Sequence, residues 1–230
     1  LRKAVKKNTD MKFSEFDLND TLLEAIYYAN FDEATEIQAK AIPLILEGKD
    51  LIGCAQTGTG KTAAFVLPML NQLSEIDCKG VKALILCPTR ELAIQIDRQV
   101  QGLAYFTNSV CRAVYGGGDG VAWDQEREAL EGAADIIIAT PGRLISHLER
   151  GYVNFKYVKN LILDEADRML DIGFFDDIIK IIGSLPKSRQ SLMFSATMAP
   201  KIRKLANEIL KHPHEVSVAI SKPAEGVLQE

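Results

Sequence analysis

One stretch of the sequence combines glycine, lysine and threonine at a spacing suited to holding phosphate. It reads Ala-Gln-Thr-Gly-Thr-Gly-Lys-Thr from Ala55 to Thr62, after a strand-like run and before a helix-like run. Glycine lets the backbone approach a ligand closely, and the free N–H groups at the start of a helix favour an anion. Lys61 adds a positive charge for terminal phosphates, and the Thr62 hydroxyl can join the ligand shell of Mg²⁺. The stretch predicts a phosphate loop rather than an ordinary tight turn, with Ala55 where the common pattern has glycine.

Two adjacent carboxylates, Asp164 and Glu165, follow a buried, strand-like segment. Asp164 can reach a Mg²⁺ ion held at the phosphate loop, usually through water, because Mg²⁺ gives up its waters reluctantly. Glu165 can orient an attacking water or accept its proton. We therefore assign Asp164 to the metal and Glu165 to the base. The alternative, capping of a following helix by acidic side chains, does not account for two acids at this position.

A Ser-Ala-Thr run from Ser195 to Thr197 follows another strand-like segment. Taken alone, such a run is typical of a helix N-cap. Its hydroxyls can also hydrogen-bond Asp167, and that contact would link the nucleotide site to a part of the protein that moves.

A second group of residues suits a different phosphate-rich ligand. Arg90, Arg143 and the glycines at 116–118 follow strand-like segments other than the one that carries the phosphate loop. The arginine fork matches phosphate oxygens, and backbone N–H groups in glycine turns and at helix starts donate to them. Contacts of this kind position a nucleic-acid backbone without reading its bases. Each arginine alone is more often a surface ion-pair partner, so the prediction depends on the whole set.

Short apolar runs alternate with amphipathic runs from residue 50 onward, which predicts an α/β fold. The seven predicted strands cover 50–55, 83–88, 111–115, 135–140, 161–165, 191–195 and 215–219. The predicted helices between them cover 61–73, 91–104, 122–131, 143–150, 174–184 and 200–210. Strands that are apolar throughout and separated by helices form a mainly parallel sheet with helices on both faces. Ligands bind at the carboxyl ends of such strands, where all the motifs above lie.

Two helices are predicted before the first of these strands, as an N-terminal helical extension. The first has apolar residues at helical spacing from Leu18 onward, with Asn19 or Asp20 as its cap. The second begins near Thr35, and Pro43 predicts a kink or a break inside it.

Composition limits the class of protein. The chain has 230 residues, 47% of them hydrophobic, and a net charge of −4, which suits one α/β domain and argues against a protein that coats nucleic acid nonspecifically. No apolar stretch is long enough to cross a bilayer. The four cysteines lack metal-ligand spacing, so a reduced, cytoplasmic setting is expected. Residues 1–12 open with a basic stretch and are predicted to be a flexible tail.

Taken in order, the motifs resemble those of the DEAD-box RNA helicases from about Phe13 to about Ala219. They are Phe13, Thr35-Glu-Ile-Gln38, the loop at 55–62, Pro-Thr-Arg-Glu-Leu-Ala ending at Ala93, Gly116-Gly117, Thr-Pro-Gly-Arg ending at Arg143, Asp-Glu-Ala-Asp ending at Asp167 and Ser-Ala-Thr ending at Thr197. Alanine at position 55 is usual in that family. The resemblance implies a RecA-like P-loop NTPase domain over 49–220, preceded by an adenine-reading segment, the Q motif, over 13–48.

The same resemblance implies ATP and Mg²⁺ as cofactors and RNA as a partner. Gln38 would read the adenine edge, because an amide can pair with N6 and N7 of adenine, and Phe13 would stack on the base. The remaining nucleotide contacts would be Gln56, Thr57, Gly58, Thr59, Gly60, Lys61 and Thr62, and the residues carrying hydrolysis would be Lys61, Asp164 and Glu165. The RNA backbone would lie along Arg90, Gly117, Thr140 and Arg143. The residues coupling nucleotide state to RNA binding would be Asp167, Ser195 and Thr197.

Three positions depart from the family pattern. Asn30 stands where the family usually has glycine before Phe31, and asparagine tolerates the left-handed conformation better than most residues. Ala34 and Glu36 stand where proline is frequent, which softens the adenine-reading segment.

The family also has a second RecA-like domain, whose arginines reach the γ-phosphate. The sequence is therefore expected to be the N-terminal half of a longer, monomeric enzyme that needs this domain in cis, with 221–230 as the start of the linker. Such an arginine contributes about 10³–10⁵ in rate. The chain alone is predicted to bind adenine nucleotides, to hydrolyse ATP very poorly and not to unwind duplexes.

Two other function classes compete with this interpretation. A non-catalytic RNA-binding clamp would keep the fold without the chemistry, and the intact Lys61, Asp164 and Glu165 weigh against it. Another P-loop translocase, acting on DNA, is disfavoured by Gln38 and by the tetrad at 164–167. Replacing Glu165 by glutamine would separate enzyme from clamp, and competition between matched RNA and DNA strands would separate the two nucleic acids.

Overall fold

The computed structural model describes residues 8–117 and 120–218. The chain begins with a two-stranded antiparallel sheet and two helices, which are β1 (Asn8–Lys12), α1 (Asp20–Tyr28), β2 (Glu33–Thr35) and α2 (Glu36–Leu46). A 3-10 turn at Phe13–Glu15 joins β1 to α1. This part confirms the predicted helical extension and adds a small sheet that the sequence analysis missed.

The start of α1 and the course of α2 test two predictions. Asn19 caps α1, because its side chain accepts a hydrogen bond from the Leu22 N–H at 2.9 Å. A kink or a break was predicted at Pro43, and the break is wrong, since α2 continues through the proline to Leu46. Ile42 and Ile45 beside the proline are fully buried. Packing of an apolar helix face supplies most of a helix's stability, and it outweighs the one backbone hydrogen bond that proline removes.

The predicted flexible tail is wrong for residues 8–12, which form β1 and pair with β2. The Thr9 hydroxyl also donates to the Ala34 carbonyl at 2.9 Å. Backbone pairing between residues about two dozen positions apart leaves no local pattern in the sequence, so composition alone suggested a tail. The rest of that tail, Gly118 and the predicted linker at 221–230 lie outside the described residues.

The main sheet has seven strands, all parallel, which confirms the predicted fold class. They are β3 (Leu51–Cys54), β4 (Ala83–Leu86), β5 (Cys111–Val114), β6 (Ile136–Ala139), β7 (Asn160–Leu163), β8 (Gln190–Ser195) and β9 (His214–Ser217). Their order across the sheet is β5-β6-β4-β7-β8-β3-β9. The order in space therefore differs from the order along the chain.

Helices connect these strands on both faces of the sheet. They are α3 (Lys61–Leu73), α4 (Arg90–Leu103), α5 (Gly120–Glu128), α6 (Pro141–Leu148), α7 (Ala166–Ile172), α8 (Phe175–Gly183) and α9 (Pro200–Ile209). A π-helical turn at Ala129–Ala133 follows α5. The short α7 was not predicted as a separate helix. Throughout 8–117 and 120–218, none of the helices has the length and apolar character needed to span a membrane.

Alternate residues of each central strand belong to two separate cores. Ile85 and Ile138 pack with α2, α3 and α4, whereas Leu84 and Ile137 pack on the face that carries α6 to α9. Because both faces are covered, most positions of these strands are apolar, which explains their apolar runs. The buried polar side chains Asn160, Gln190 and Ser191 stand at the beginnings of β7 and β8. Polar chemistry is left to the strand ends.

The strand order separates those ends into two groups. The strands β5, β6 and β4 are neighbours, and they precede Gly117, Thr140 and Arg90, the predicted RNA contacts. The strands β7, β8 and β3 are also neighbours, and they lead to Asp164, Ser195 and the phosphate loop. One edge of the sheet thus carries two adjoining sites.

Candidate functional site

A cavity of about 680 Å³ opens beside the phosphate loop. This volume lies in the range of roughly 300–1,000 Å³ typical of small-molecule sites. Its lining includes Phe13, Gln38, Thr57, Gly58, Thr59, Gly60, Lys61, Thr62, Asp164 and Glu165. Of the predicted nucleotide contacts, Gln56 alone is not in the lining. Its side chain is exposed. Its carbonyl accepts a hydrogen bond from the Thr59 hydroxyl at 2.7 Å, and this bond stabilises the conformation of the loop.

The loop owes its path to two glycines in the left-handed region. Gly58 has φ +84° and Gly60, the N-cap of α3, has φ +92°. A Cβ atom on Gly60 would lie 2.5 Å from the Gln38 amide nitrogen. Glycine at position 60 is therefore required both by its backbone conformation and by the close approach of Gln38.

Gln38 ties α2 to the phosphate loop. Its Oε1 accepts from the Thr35 N–H at 2.8 Å, and its Nε2 donates to the Gly60 carbonyl at 3.1 Å. A glutamine amide has two donor hydrogens and two acceptor lone pairs, so one of each remains for a ligand. The two backbone contacts hold the amide plane in place.

Two aromatic rings line the same cavity. Phe13 is 3% exposed and Phe31 is 38% exposed, and their rings stack with centroids 6.0 Å apart at 29°. The motifs predicted Phe13 as the contact with the base and did not predict Phe31, which has the more open ring and follows the turn at Asn30. Asn30 has φ +53°, so the turn survives with asparagine in the left-handed conformation, as expected.

Charge in the cavity is left unsatisfied by the protein. The Lys61 side-chain nitrogen is buried and has no hydrogen-bond partner among the described residues. Burial raises the pKa of Asp164 to about 6, with the positive charge of Lys61 lowering it and the negative charge of Glu165 raising it. A buried cation without a partner is costly. The arrangement therefore suits an anionic ligand at Lys61 and a cation at Asp164.

Glu165 has a strained backbone. Its φ is +51°, in the left-handed region that non-glycine residues rarely adopt, and it forms the N-cap of α7. Its N–H donates to Asp164 Oδ1 at 3.0 Å, and its own carboxylate lies 3.4 Å from Arg168. Strain of about 1–3 kcal/mol of this kind persists where surrounding structure imposes it, commonly at functional sites. It turns the Glu165 side chain toward the cavity that it lines.

The Ser-Ala-Thr run meets Asp167, as predicted. Asp167 Oδ2 accepts hydrogen bonds from the Thr197 N–H at 3.1 Å and from its hydroxyl at 3.3 Å. The Ser195 hydroxyl does not join this contact and donates instead to the Thr197 carbonyl at 2.8 Å. The Ser195 carbonyl accepts from the Ala55 N–H at 3.1 Å, at the entrance to the phosphate loop. One continuous set of contacts thus runs from Asp167 to the loop.

The predicted RNA contacts occupy the neighbouring strand ends. The Arg90 guanidinium lies over the Tyr115 ring at 5.0 Å and closely approaches the position that a Cβ on Gly117 would take, at 3.0 Å. The Thr140 N–H donates to the Val114 carbonyl at 3.1 Å, which joins the ends of β5 and β6. The structure therefore brings these residues together as a set.

Arg143 is held more tightly than the sequence indicates. Its Nε donates to Glu126 Oε2 at 2.7 Å, and its guanidinium lies 4.2 Å from the centre of the Trp123 ring. Neither Glu126 nor Trp123 was predicted to matter. A glutamate in a polar helix ordinarily faces water, so its burial gives no signal in the sequence.

Residues 35–205 match the sequence profile of the DEAD/DEAH box helicases. The chain belongs to the DEAD/DEAH box helicase family. Similar proteins include the ATP-dependent RNA helicase CshA of Listeria monocytogenes, 45% identical over 90% of this chain and 39% of the relative. The DEAD-box ATP-dependent RNA helicase RhpA of Helicobacter pylori is 42% identical over 91% of this chain and 42% of the relative. The chain thus spans about two fifths of the length of these curated relatives.

Solved structures of this family have the same fold. A DEAD box protein from Methanococcus jannaschii matches 90% of this chain and 56% of its own, with a TM-score of 0.84 and 39% identity. A hypothetical ATP-dependent RNA helicase from Sulfolobus tokodaii matches 87% of this chain and 57% of its own, with a TM-score of 0.79 and 33% identity. The RecA-like fold predicted from the motifs is confirmed, and the matched part is one portion of a longer chain in each case.

Proposed function

We propose that the chain is the ATP-binding half of an ATP-dependent RNA helicase. The observation that carries this proposal is the buried ammonium of Lys61, which has no hydrogen-bond partner among the described residues, in a cavity also lined by Gln38. A terminal phosphate at Lys61 would satisfy that charge, and the remaining donor and acceptor of Gln38 would pair with adenine. The names of the similar proteins, ATP-dependent RNA helicases, support the same assignment.

The aromatic contact with the base is best assigned to both rings of the cavity. Phe31 presents the more exposed ring, and Phe13 backs it by stacking from the interior. The phosphates would lie against the N–H groups from Thr57 to Thr62, where the dipole of α3 favours negative charge.

Mg²⁺ fits the donors at the other side of the cavity. The Thr62 hydroxyl and the Asp164 carboxylate would hold it, largely through water. When bound, Mg²⁺ would neutralise charge on the phosphate oxygens. A nearby cation would also stabilise the ionised form of Asp164 against the burial that raises its pKa.

Glu165 is the proposed general base. Its carboxylate lines the cavity and is only partly exposed, at 17%. It would orient a water and accept its proton. Lys61 would hold the terminal phosphate oxygens during this step, because its position is set by the first turn of α3.

The neighbouring strand ends would hold RNA by its backbone, through Arg90, Gly117, Thr140 and Arg143. The contacts from Asp167 to Thr197, together with the Ser195 carbonyl, would couple the nucleotide state to RNA binding by these residues. Free thiols at all four cysteines support a cytoplasmic setting. A second RecA-like domain in the complete gene product would supply the arginines for rapid hydrolysis.

RNA-stimulated ATP hydrolysis and duplex unwinding by the complete gene product test this proposal. We expect both activities, and we expect matched DNA strands to compete poorly with RNA. The 230-residue chain alone should bind ATP in the presence of Mg²⁺ but turn it over very slowly. Rapid RNA-stimulated turnover by the chain alone would contradict the need for a second domain, and failure of ATP to bind would contradict the nucleotide site itself.

A further inference from the structure

Glu126, in the last turn of α5, accepts hydrogen bonds from the segment that follows β5 and from α6, which follows β6. Its Oε1 accepts from the Tyr115 N–H at 3.0 Å, directly before the Gly116-Gly117 turn. Its Oε2 accepts from Arg143 Nε at 2.7 Å and lies 3.0 Å from His147 Nε2. One buried carboxylate therefore fixes the distance between the glycine turn and α6.

Trp123, one turn earlier on α5, covers the same part of α6. Its ring lies 4.2 Å from the Arg143 guanidinium, 4.3 Å from that of Arg150 and 3.9 Å from the nearly parallel His147 ring. Arg143 and His147 are four residues apart in α6, so they share one helix face, and Arg150 lies in the turn that follows α6. Arg143 thus donates a hydrogen bond to the Glu126 carboxylate, and its guanidinium lies over the Trp123 ring.

The Arg143–Glu126 ion pair joins a largely buried guanidinium to a buried carboxylate. The two side chains are 15% and 7% exposed. Burial raises the pKa of Glu126, but hydrogen bonds from His147, Arg143 and the Tyr115 N–H outweigh it and hold that pKa below its ordinary value. A second guanidinium nitrogen of Arg143, Nη2, is buried and has no hydrogen-bond partner among the described residues. The protein therefore fixes the group while leaving one of its buried donors unsatisfied.

We propose that Glu126 is a positioning residue for RNA binding, which holds Arg143 and the Gly116-Gly117 turn in fixed positions relative to each other. The inference rests on the proposed contact of Arg143 with the RNA backbone. A free arginine side chain loses rotamer freedom when it binds, and Glu126 removes that cost in advance. The opposite role, in which Glu126 competes with phosphate for Arg143, is disfavoured because the buried pair does not separate readily.

The test measures binding of a fluorescein-labelled single-stranded oligouridylate to the 230-residue chain by anisotropy, at several salt concentrations. Arg143→Ala should weaken binding about tenfold, as for loss of one charge-assisted hydrogen bond, and should lower the salt slope by about 0.7. Glu126→Ala should reproduce both changes, and the double variant should bind no more weakly than Arg143→Ala. The matched control is Glu128→Gln, an exposed glutamate of the same helix, which should leave both unchanged.

Two further measurements separate positioning from loss of structure. Trp123 is the only tryptophan in the sequence, so its emission reports on the groups stacked against it. Glu126→Ala should shift this emission without RNA while leaving nucleotide affinity unchanged, and Glu128→Gln should not shift it. If Glu126→Ala fails to fold, Glu126→Gln decides, because it keeps the side-chain volume and one acceptor oxygen. It should bind RNA more weakly than Glu128→Gln does.

Three results would overturn the proposal. Glu126 variants that bind RNA with the wild-type affinity and salt slope would show that the carboxylate is only structural, and tighter binding would show that it competes with phosphate. An unchanged affinity in Arg143→Ala would remove the contact on which the inference rests. RNA-stimulated hydrolysis by the complete gene product would still test the proposed function separately.

Discussion

The strand ends after β7, β8 and β3 form one half of the site edge, and those after β5, β6 and β4 form the other. The charged side chains of these two halves differ in whether the protein itself provides their partners. In the half proposed to bind nucleotide, Lys61 is buried without a hydrogen-bond partner among the described residues, and burial raises the pKa of Asp164. In the half proposed to bind RNA, Arg143 is already paired with Glu126, and Arg90 lies over Tyr115. The first half keeps charges that a ligand must satisfy, whereas the second half already holds its arginines against protein groups, in fixed positions.

This difference suits the two proposed ligands. A small, highly charged nucleotide can enter a cavity and satisfy several buried groups at once, so leaving them unpaired favours tight binding. A nucleic-acid backbone touches many shallow points in succession, and each contact is weak and dependent on salt. Fixed, preorganised donors improve such contacts by lowering the entropy lost on binding.

The largest expected effect concerns the chemistry of the nucleotide half. Replacing Glu165 by glutamine in the complete gene product should lower the rate of ATP hydrolysis by about 10²–10⁴, because a general base is lost. Nucleotide binding should persist, since the phosphate loop is untouched. Steady-state ATPase assays and equilibrium binding measure the two quantities. An unchanged rate would favour a non-catalytic clamp, and Glu128→Gln is the control.

The next effect concerns the stability of the RNA half. Replacing Glu126 by alanine should lower the free energy of unfolding by about 3–5 kcal/mol, because it leaves Arg143 buried without its partner. Urea denaturation of the chain measures this change. A loss below about 1 kcal/mol would mean that the charged groups of the half proposed to bind RNA depend on partners within the protein no more than those of the half proposed to bind nucleotide.

The pH dependence of stability should identify Asp164. Its pKa is about 6 in the folded chain and about 4 when unfolded. The folded state therefore holds an extra proton between these values, and stability present below about pH 4 is lost as pH rises to about 6, by roughly 3 kcal/mol. Asp164→Asn should remove this decline in urea midpoints measured from pH 4 to 7. The exposed Asp124→Asn should keep it.

Gly60 and Gly58 provide a matched pair within the phosphate loop. Gly60→Ala should destabilise the chain by about 1–3 kcal/mol through its left-handed backbone, and it should also displace Gln38, which a Cβ would approach to 2.5 Å. Gly58→Ala has a similar φ but no atom within 4 Å of its Cβ. It should be strained without moving Gln38. Only the first should weaken the preference for ATP over GTP.

The smallest expected change in stability comes from Lys61. Lys61→Met should leave the free energy of unfolding within about 1 kcal/mol of wild type or raise it, because it removes a buried charge that has no hydrogen-bond partner in the described part of the chain and is attracted only electrostatically by Asp164. ATP affinity should nevertheless fall about 10- to 100-fold, through lost charge-assisted contacts to phosphate. Calorimetric titration and urea denaturation measure the two effects. A large loss of stability would show that Lys61 already has a structural partner.

Several elements were predictable because their cause is local. The cap of α1 at Asn19 follows from a side chain three residues from its donor. The turn at Asn30 follows from the tolerance of asparagine for a positive φ. By contrast, the passage of α2 through Pro43, the pairing of β1 with β2 and the burial of Glu126 all depend on partners distant in the sequence. Local patterns contain no record of those partners.

The sequence by itself determined which residues stand at strand ends, because apolar runs and the polar motifs that follow them alternate along the chain. It also determined the family and the residues of the phosphate loop. Only the tertiary structure decided which strand ends are neighbours. Along the chain, the residues proposed to contact nucleotide alternate with those proposed to contact RNA. In the sheet order β5-β6-β4-β7-β8-β3-β9, the strands that lead to each group are neighbours. Strand order is set by how the crossover helices pack on the two faces, and no local pattern encodes it.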